Sequence, residues 1–268
     1  MIKQDLHTHS DYDDGRGSLR EVAEAAAEKG LVSIGLSGHT PMPFENDWTM
    51  TEEGYARYLR EVPAVIEEMR GRIEVLMGIE YDALCHIDYA LFDYVIGSAH
   101  YVVKDGVPLS IDETLEISEQ AVAAFGDADA VAEAYFETVG DFADNDAIDI
   151  VGHFDLITKF NEQKRLFDTD SPRYRAAARR AMERLVAAGK IFEINAGAMN
   201  RGYRTEPYPS VALLRQLREL GGKIILSSDA HSPQSVYGGF ETLRDIALDC
   251  GFTEVWQYID GAFRPQSL

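Results

Sequence analysis

The chain has 268 residues, 46% of them hydrophobic and 26% charged, the composition of a globular protein and the length of one barrel-sized domain, read as residues 1–268. Its formal net charge of −21 excludes nucleic acid and anionic membranes as partners on electrostatic grounds. Two cysteines, Cys85 and Cys250, are too few for a disulfide scaffold and lack a neighbouring thiol at metal-binding spacing. That usage fits a reducing cytoplasm. The opening MIKQDLHTHS carries no charged and apolar leader, and no run reaches transmembrane length, so a cytoplasmic location is expected.

Ile2 to Leu6 is the first short apolar run and delivers His7 and His9. Ser18 then reads as the N-cap of a helix over Leu19–Lys29, with Glu21 completing a capping box and Gly30 stopping it. Val32–Leu36 leads to His39, a helix spans Glu52–Met69, Ile73–Ile79 leads to Glu80, and Tyr94–Gly97 leads to His100. Between His100 and Ile148 the alternation is interrupted. Glu113–Phe125 and Ala128–Phe142 read as helices broken at Gly126-Asp127, within an insertion of approximately residues 104–146 expected to lie over the active site.

The alternation resumes with Ile148–Val151 before His153, a helix over Arg173–Ala188, and Ile191–Ile194 before Asn195. A helix over Ser210–Leu220 follows Pro209, and Lys223–Leu226 leads to Asp229 and His231. A helical stretch from Pro233 to Gly251 and a strand over Val255–Ile259 with a turn at Asp260-Gly261 close the chain. There is no internal repeat.

Short Val- and Ile-rich runs separated by helices are buried parallel strands with helical crossovers, an α/β architecture. The carboxyl ends of such strands share one face, in a barrel or an open sheet, and sites are built there. Six of the seven histidines sit at or just past a run's end, so they are expected to converge. Residues two apart on an extended strand share a side, which pairs His7 with His9 and Asp229 with His231. Imidazole with carboxylate suits zinc, manganese or iron, and the lack of thiolate argues against a closed structural zinc site. His86, beside Cys85 and away from any such run, is read as structural.

The ordered strings DLHTHSDYDDG, GHTPMP, GIEY, GSAHYV, DIVGHFDLITKF, EINAGAMNRG and SSDAHSP resemble the polymerase and histidinol phosphatase (PHP) family, most closely its bacterial histidinol-phosphate phosphatases, over about residues 3 to 240. The resemblance implies a distorted seven-stranded (β/α)7 TIM-like barrel with three divalent ions at the carboxyl ends of the strands. It implies that His7, His9, Glu80 and Asp229 hold one ion. Glu80, as a bridge, with His100 and His153 would hold a second, and Asp14, His39 and His231 a third. Asp11 and Asp13 lie close enough to Asp14 to be confused with it, and Gly38 stands where the family commonly has an aspartate before His39.

The implied activity is hydrolysis of L-histidinol phosphate to L-histidinol and phosphate, a step of histidine biosynthesis. A phosphate monoester needs an activated water and a stabilised leaving alkoxide; metal-activated hydroxide would supply the first and a neighbouring ion the second. Asp229, or a water near His231, is expected to protonate the leaving oxygen. Arg201 and Lys159 are the candidates for gripping phosphate, with Arg16 behind them, and Glu113 or Glu116 for meeting the substrate's ammonium. Two rival readings are a family phosphoesterase acting on a nucleotide or phosphotyrosine, and a metal-free scaffold. The nine filled positions speak against the scaffold.

Overall fold

The computed structural model describes residues 3–268, so Ile2, where the first apolar run begins, lies outside the described residues. The chain runs β1 (Gln4–Asp5), α1 (Leu19–Glu28), β2 (Ser33–Leu36), α2 (Glu52–Glu68), β3 (Glu74–Asp82), β4 (Tyr94–Ser98), β5 (Tyr101–Lys104) and β6 (Val107–Ser110). It continues with α3 (Leu115–Phe125), α4 (Ala128–Asp141), β7 (Ile150–Val151), α5 (Pro172–Ala187), β8 (Ile191–Asn195), the one-turn α6 (Gly197–Asn200), α7 (Val211–Glu219) and β9 (Lys223–Ser227). Last come α8 (Phe240–Asp249) and a hairpin of β10 (Glu254–Ile259) and β11 (Ala262–Ser267).

Seven strands form one parallel sheet in the order β1-β2-β3-β4-β7-β8-β9, with α-helices between successive strands except β3 and β4, which a single 3-10 turn at Tyr89–Leu91 joins, and curl into a nearly closed barrel. The seam lies between β1 and β9, and it is closed at the carboxyl end. Thr8 bridges Ala230, the His9 N–H donates to the Ala230 carbonyl at 2.8 Å, and the Ala230 N–H donates to the His7 carbonyl at 3.2 Å. Below them the buried Asp5 carboxylate accepts from the Ser228 N–H at 3.2 Å, the Ser228 hydroxyl and the Tyr237 N–H at 2.8 Å. The closure therefore sets the first and last histidine motifs side by side.

Helices pack outside the sheet over the main core, while Leu6, Leu76, Tyr94, Ile96, Ile150, Ile191 and Ile225 form a separate cluster from the strands. Trp256, Tyr258 and Phe263 of the β10–β11 hairpin pack against this cluster, and Gln4 fixes the hairpin by exchanging two 2.9 Å hydrogen bonds with the Tyr258 backbone. Tyr94 fills space left by two glycines. A Cβ at Gly35 would stand 1.9 Å from the Tyr94 hydroxyl and 2.8 Å from Cζ, and one at Gly78 only 2.2 Å from Cζ and 2.7 Å from Cε1. Overpacked cores lose about 1–3 kcal/mol. Gly35→Ala and Gly78→Ala are expected near the top of that range in urea unfolding, with Tyr94→Phe partly rescuing the first and not the second; equal rescue of both would refute this packing.

Most predicted elements appear within one or two residues of their expected bounds, including α1 with both arms of the Ser18–Glu21 capping box. Gly126 ends α3 at φ +75° and Asp127 caps α4. Four details differ. β3 runs on to Asp82, so Glu80 lies inside the strand rather than beyond it. Strand pairing at β7 begins at Ile150, because the Ile148 N–H is turned onto Asn145 at 3.2 Å. The stretch from Pro233 to Gly251 is one 3-10 turn and a shorter α8, separated where Gly239 takes φ +81°. A β5–β6 hairpin, not anticipated, turns at Asp105-Gly106, both at positive φ.

Candidate metal centre

The nine expected ligand positions converge on the carboxyl ends of the strands. Glu80 is the focus: its Oε2 lies 3.1 Å from His7 Nε2, 3.4 Å from His9 Nε2 and 2.9 Å from His39 Nδ1, and its Oε1 lies 2.9 Å from His153 Nε2 and 3.7 Å from His100 Nε2. Asp229 Oδ1 closes the other side at 3.3 Å from His9 Nε2, 3.4 Å from His231 Nδ1 and 3.8 Å from His7 Nε2. Asp14 stands at the mouth, 3.3 Å from His231 Nε2 and 3.7 Å from His39 Nε2. Ligand atoms within 4.8 Å of one another fall into three groups: His9, Asp14, His39 and His231; His7, His9 and Asp229; and His39, Glu80 and His100. His9 and His39 each join two groups, while Glu80 joins one and His153 none, so the three groups differ in membership from the three the resemblance implied. His86 is exposed and belongs to none of the three.

A second layer of buried carboxylates orients the imidazoles. Glu193 Oε2 holds His7 Nδ1 at 2.8 Å while its Oε1 accepts the His153 N–H at 2.6 Å and the Asn195 amide at 2.8 Å. Asp82 Oδ2 holds His100 Nδ1 at 3.1 Å. Asp13 Oδ2 holds His9 Nδ1 at 2.8 Å and accepts the His39 N–H at 2.8 Å. Such partners fix which ring nitrogen faces inward and raise its basicity. Gly38 has its explanation here: a Cβ on it would meet Asp13 Oδ2 at 2.9 Å, so the carboxylate beside His39 arrives from the first loop instead. Asp13, Asp82 and Glu193 are the residues that sequence reasoning missed. Trp48, also missed, packs its ring against His39 and His100 with centroids 4.7 and 4.9 Å apart.

The electrostatics are those of a site built for cations. Burial works against charge at every group, yet the carboxylates of Asp13, Asp229 and Glu80 lift His9 to about 10, and Asp82, Asp112 and Glu80 lift His100 to about 9. His39, His7 and His153 hold Glu80, and Arg201, His7 and His231 hold Asp229, well below the usual carboxylate range despite burial. His231 is lowered, by burial and by the cations of His9 and Arg201. His7 Nε2, His9 Nε2 and Glu80 Oε2 are buried without a hydrogen-bond partner and face one another, an arrangement that costs free energy unless something positive sits among them. Nitrogen and oxygen donors without thiolate fit zinc, manganese or iron.

The cluster forms the floor of a cavity of about 550 Å³. Arg201, at the end of α6, reaches it with Nη2 3.2 Å from Asp229 Oδ2 and Nη1 2.9 Å from both His231 nitrogens. Lys159 lines the same cavity, but its ammonium is engaged by the Asp112 carbonyl at 2.7 Å and carboxylate at 3.2 Å. Arg16, Asp47 and Glu113 also line it, whereas Glu116 does not.

A family model described as PHP domain matches residues 5–197. A Deinococcus radiodurans protein named "Probable histidinol-phosphatase" is 30% identical over 90% of this chain and 93% of its own length. The Bacillus subtilis histidinol-phosphatase is 24% identical over 91% of this chain and 99% of its own. Among solved structures, the Lactococcus lactis histidinol phosphate phosphatase complexed with zinc, L-histidinol and phosphate superposes with a TM-score of 0.73 at 20% identity over 98% of each chain, a likeness of fold. No helix among the described residues is long and apolar enough to cross a membrane. The matched model spans most of the barrel and seven of the nine clustered positions plus Glu193, and the chain belongs to the PHP domain family.

Proposed function

We propose that this chain is a metal-dependent phosphomonoesterase that hydrolyses L-histidinol phosphate to L-histidinol and inorganic phosphate. The observation that carries the reading is the single buried carboxylate of Glu80 within 3.7 Å of five imidazoles, in a chain similar to histidinol-phosphatases over nearly its whole length. The ligands are proposed to be His7, His9, Asp14, His39, Glu80, His100, His153, Asp229 and His231, holding three divalent ions. The whole chain is read as one domain, with the segment from about residue 104 to 146 over the site.

Divalent ions held there would lower the pKa of water towards ~7 and neutralise phosphoryl oxygens. The protein's own groups do the rest. Arg201, whose guanidinium already spans Asp229 and His231, receives the phosphate oxygens, and Lys159 lines the same cavity, tied to Asp112. Asp229 remains ionised beside Arg201 and His7, so the leaving oxygen's proton is better drawn from water at His231 than from Asp229 itself. Exposed Glu113 and Asp47 line the same cavity and offer carboxylates to the substrate's ammonium.

Phosphate release under added manganese or zinc is the test. L-histidinol phosphate is expected to exceed sugar and nucleotide monophosphates by about a hundredfold in kcat/KM. A comparable preference for another ester would reject this substrate and leave the reaction class standing.

A further inference from the structure

We propose that Arg204 is a positioning residue for phosphate binding, a buried guanidinium that clamps the loop between β8 and α7 onto the loop after β7 and so sets Arg201 at the metal cluster. The inference rests on the reading of Arg201 as the phosphate grip. Arg204 is only 7% exposed in a strongly acidic protein. It is absent from the wall of the cavity that Arg201 enters and lines a separate one, with Asp155, Thr158 and Glu206. A cation buried there is costly unless its surroundings are built for it.

They are. Nη1 donates to Thr158 Oγ1, Nη2 donates to Glu206 Oε1 at 3.1 Å, and the guanidinium lies 4.6 Å from the centre of the Tyr208 ring. Glu206 in turn accepts the Val211 N–H at 3.1 Å at the start of α7. Thr158 Oγ1 donates to the Asp155 carbonyl at 2.7 Å, and Asp155 Oδ2 accepts the Ser210 N–H at 3.1 Å. The circuit thus joins two loops. One begins at His153, whose carbonyl accepts the Leu156 N–H at 2.9 Å. The other carries Arg201 and returns through Tyr208, whose backbone exchanges 2.7 and 3.1 Å hydrogen bonds with Asn195.

Arg201 and Arg204 are three residues apart on this compact loop, with the Arg201 N–H on the Gly197 carbonyl at 3.0 Å and the Arg204 N–H on the Ala198 carbonyl at 3.3 Å. One side chain enters the site and the other anchors behind it. Arg204 is buried while Glu206 is partly exposed, and a shift of the loop would strip the buried guanidinium of Thr158 and Glu206 together, which fixes the register. Arg204 therefore controls where the Arg201 fork points without touching substrate.

A double-mutant cycle reads this directly. Inorganic phosphate is titrated calorimetrically into metal-loaded wild type, Arg201→Met, Arg204→Met and the double variant, with metal content and melting temperature recorded. Each single variant is expected to weaken phosphate by about tenfold or more with metal retained. The double variant should match either single within about twofold, because both changes remove the same contact. A purely structural Arg204 would lower the melting temperature and leave phosphate affinity unchanged, and that result, or additive losses, overturns the proposal. If Arg201→Met leaves phosphate affinity unaltered, the role of Arg201 falls as well, while retained hydrolysis of histidinol phosphate keeps the proposed function. Should Arg204→Met not fold, Thr158→Val, which removes one partner and no charge, is judged by the same non-additivity with Arg201→Met.

Discussion

Glu80→Gln is expected to strip the site of metal and lower kcat by about a thousandfold, equivalent to about 4 kcal/mol of barrier. Glutamine keeps the shape and loses the charge, at the one position whose two oxygens between them face His7, His9, His39, His100 and His153. No neighbour can substitute. Asp229 meets His7, His9 and His231 from the opposite side, and Asp82 and Glu193 are already turned to the outer nitrogens of His100 and His7. The barrel should survive, since its closure through Thr8, Ala230 and Asp5 does not use Glu80. Metal content, kcat and unfolding temperature, measured together, decide the matter. A Glu80→Gln protein that keeps both its metal and its turnover would remove the central carboxylate from the mechanism.

The converging histidines were legible because a parallel α/β sheet sends every strand's carboxyl end to one rim, so runs ending in HTH, GH, SAH, GHFD and SDAH had one place to meet. The carboxylates behind them were legible in principle. Asp82 lies two residues past Glu80 on β3, and Glu193 two before Asn195 on β8, so each shares its neighbour's side of the strand by the same alternation that paired His7 with His9. Asp13 was not. DYDDG offers three aspartates in a loop without periodicity, and only the hydrogen bonds to His9 and to the distant His39 N–H single one out. The β5–β6 hairpin had its signal, an Asp-Gly pair between Val102-Val103 and Val107, which was passed over at the edge of an insertion whose only expected elements are the two helices from Glu113 on. Lys159 shows the opposite difficulty, since position alone made it a free cation and only coordinates reveal its Asp112 partner.

Metal removal should change how stability responds to alkali. Without metal, His9 is lifted to about 10 and His100 to about 9, each above the ~6.5 of an unfolded chain. A group whose folded pKa is raised contributes stability that is complete below the unfolded value and is lost as pH climbs through the folded one. The chelator-treated protein should therefore melt progressively lower from about pH 7 towards pH 10. Metal binding must displace those same protons, so apparent affinity rises with pH over the same interval, by about tenfold per unit for each proton released. Stabilisation by bound metal grows with that affinity, reaching about 4 kcal/mol when free metal is a thousand times Kd. The gap between the melting curves of loaded and stripped protein, taken at fixed free manganese from pH 6.5 to 9, should widen steadily, with protons released to the buffer on each addition. A gap independent of pH would mean that protonated His9 and His100 are not what the metal displaces.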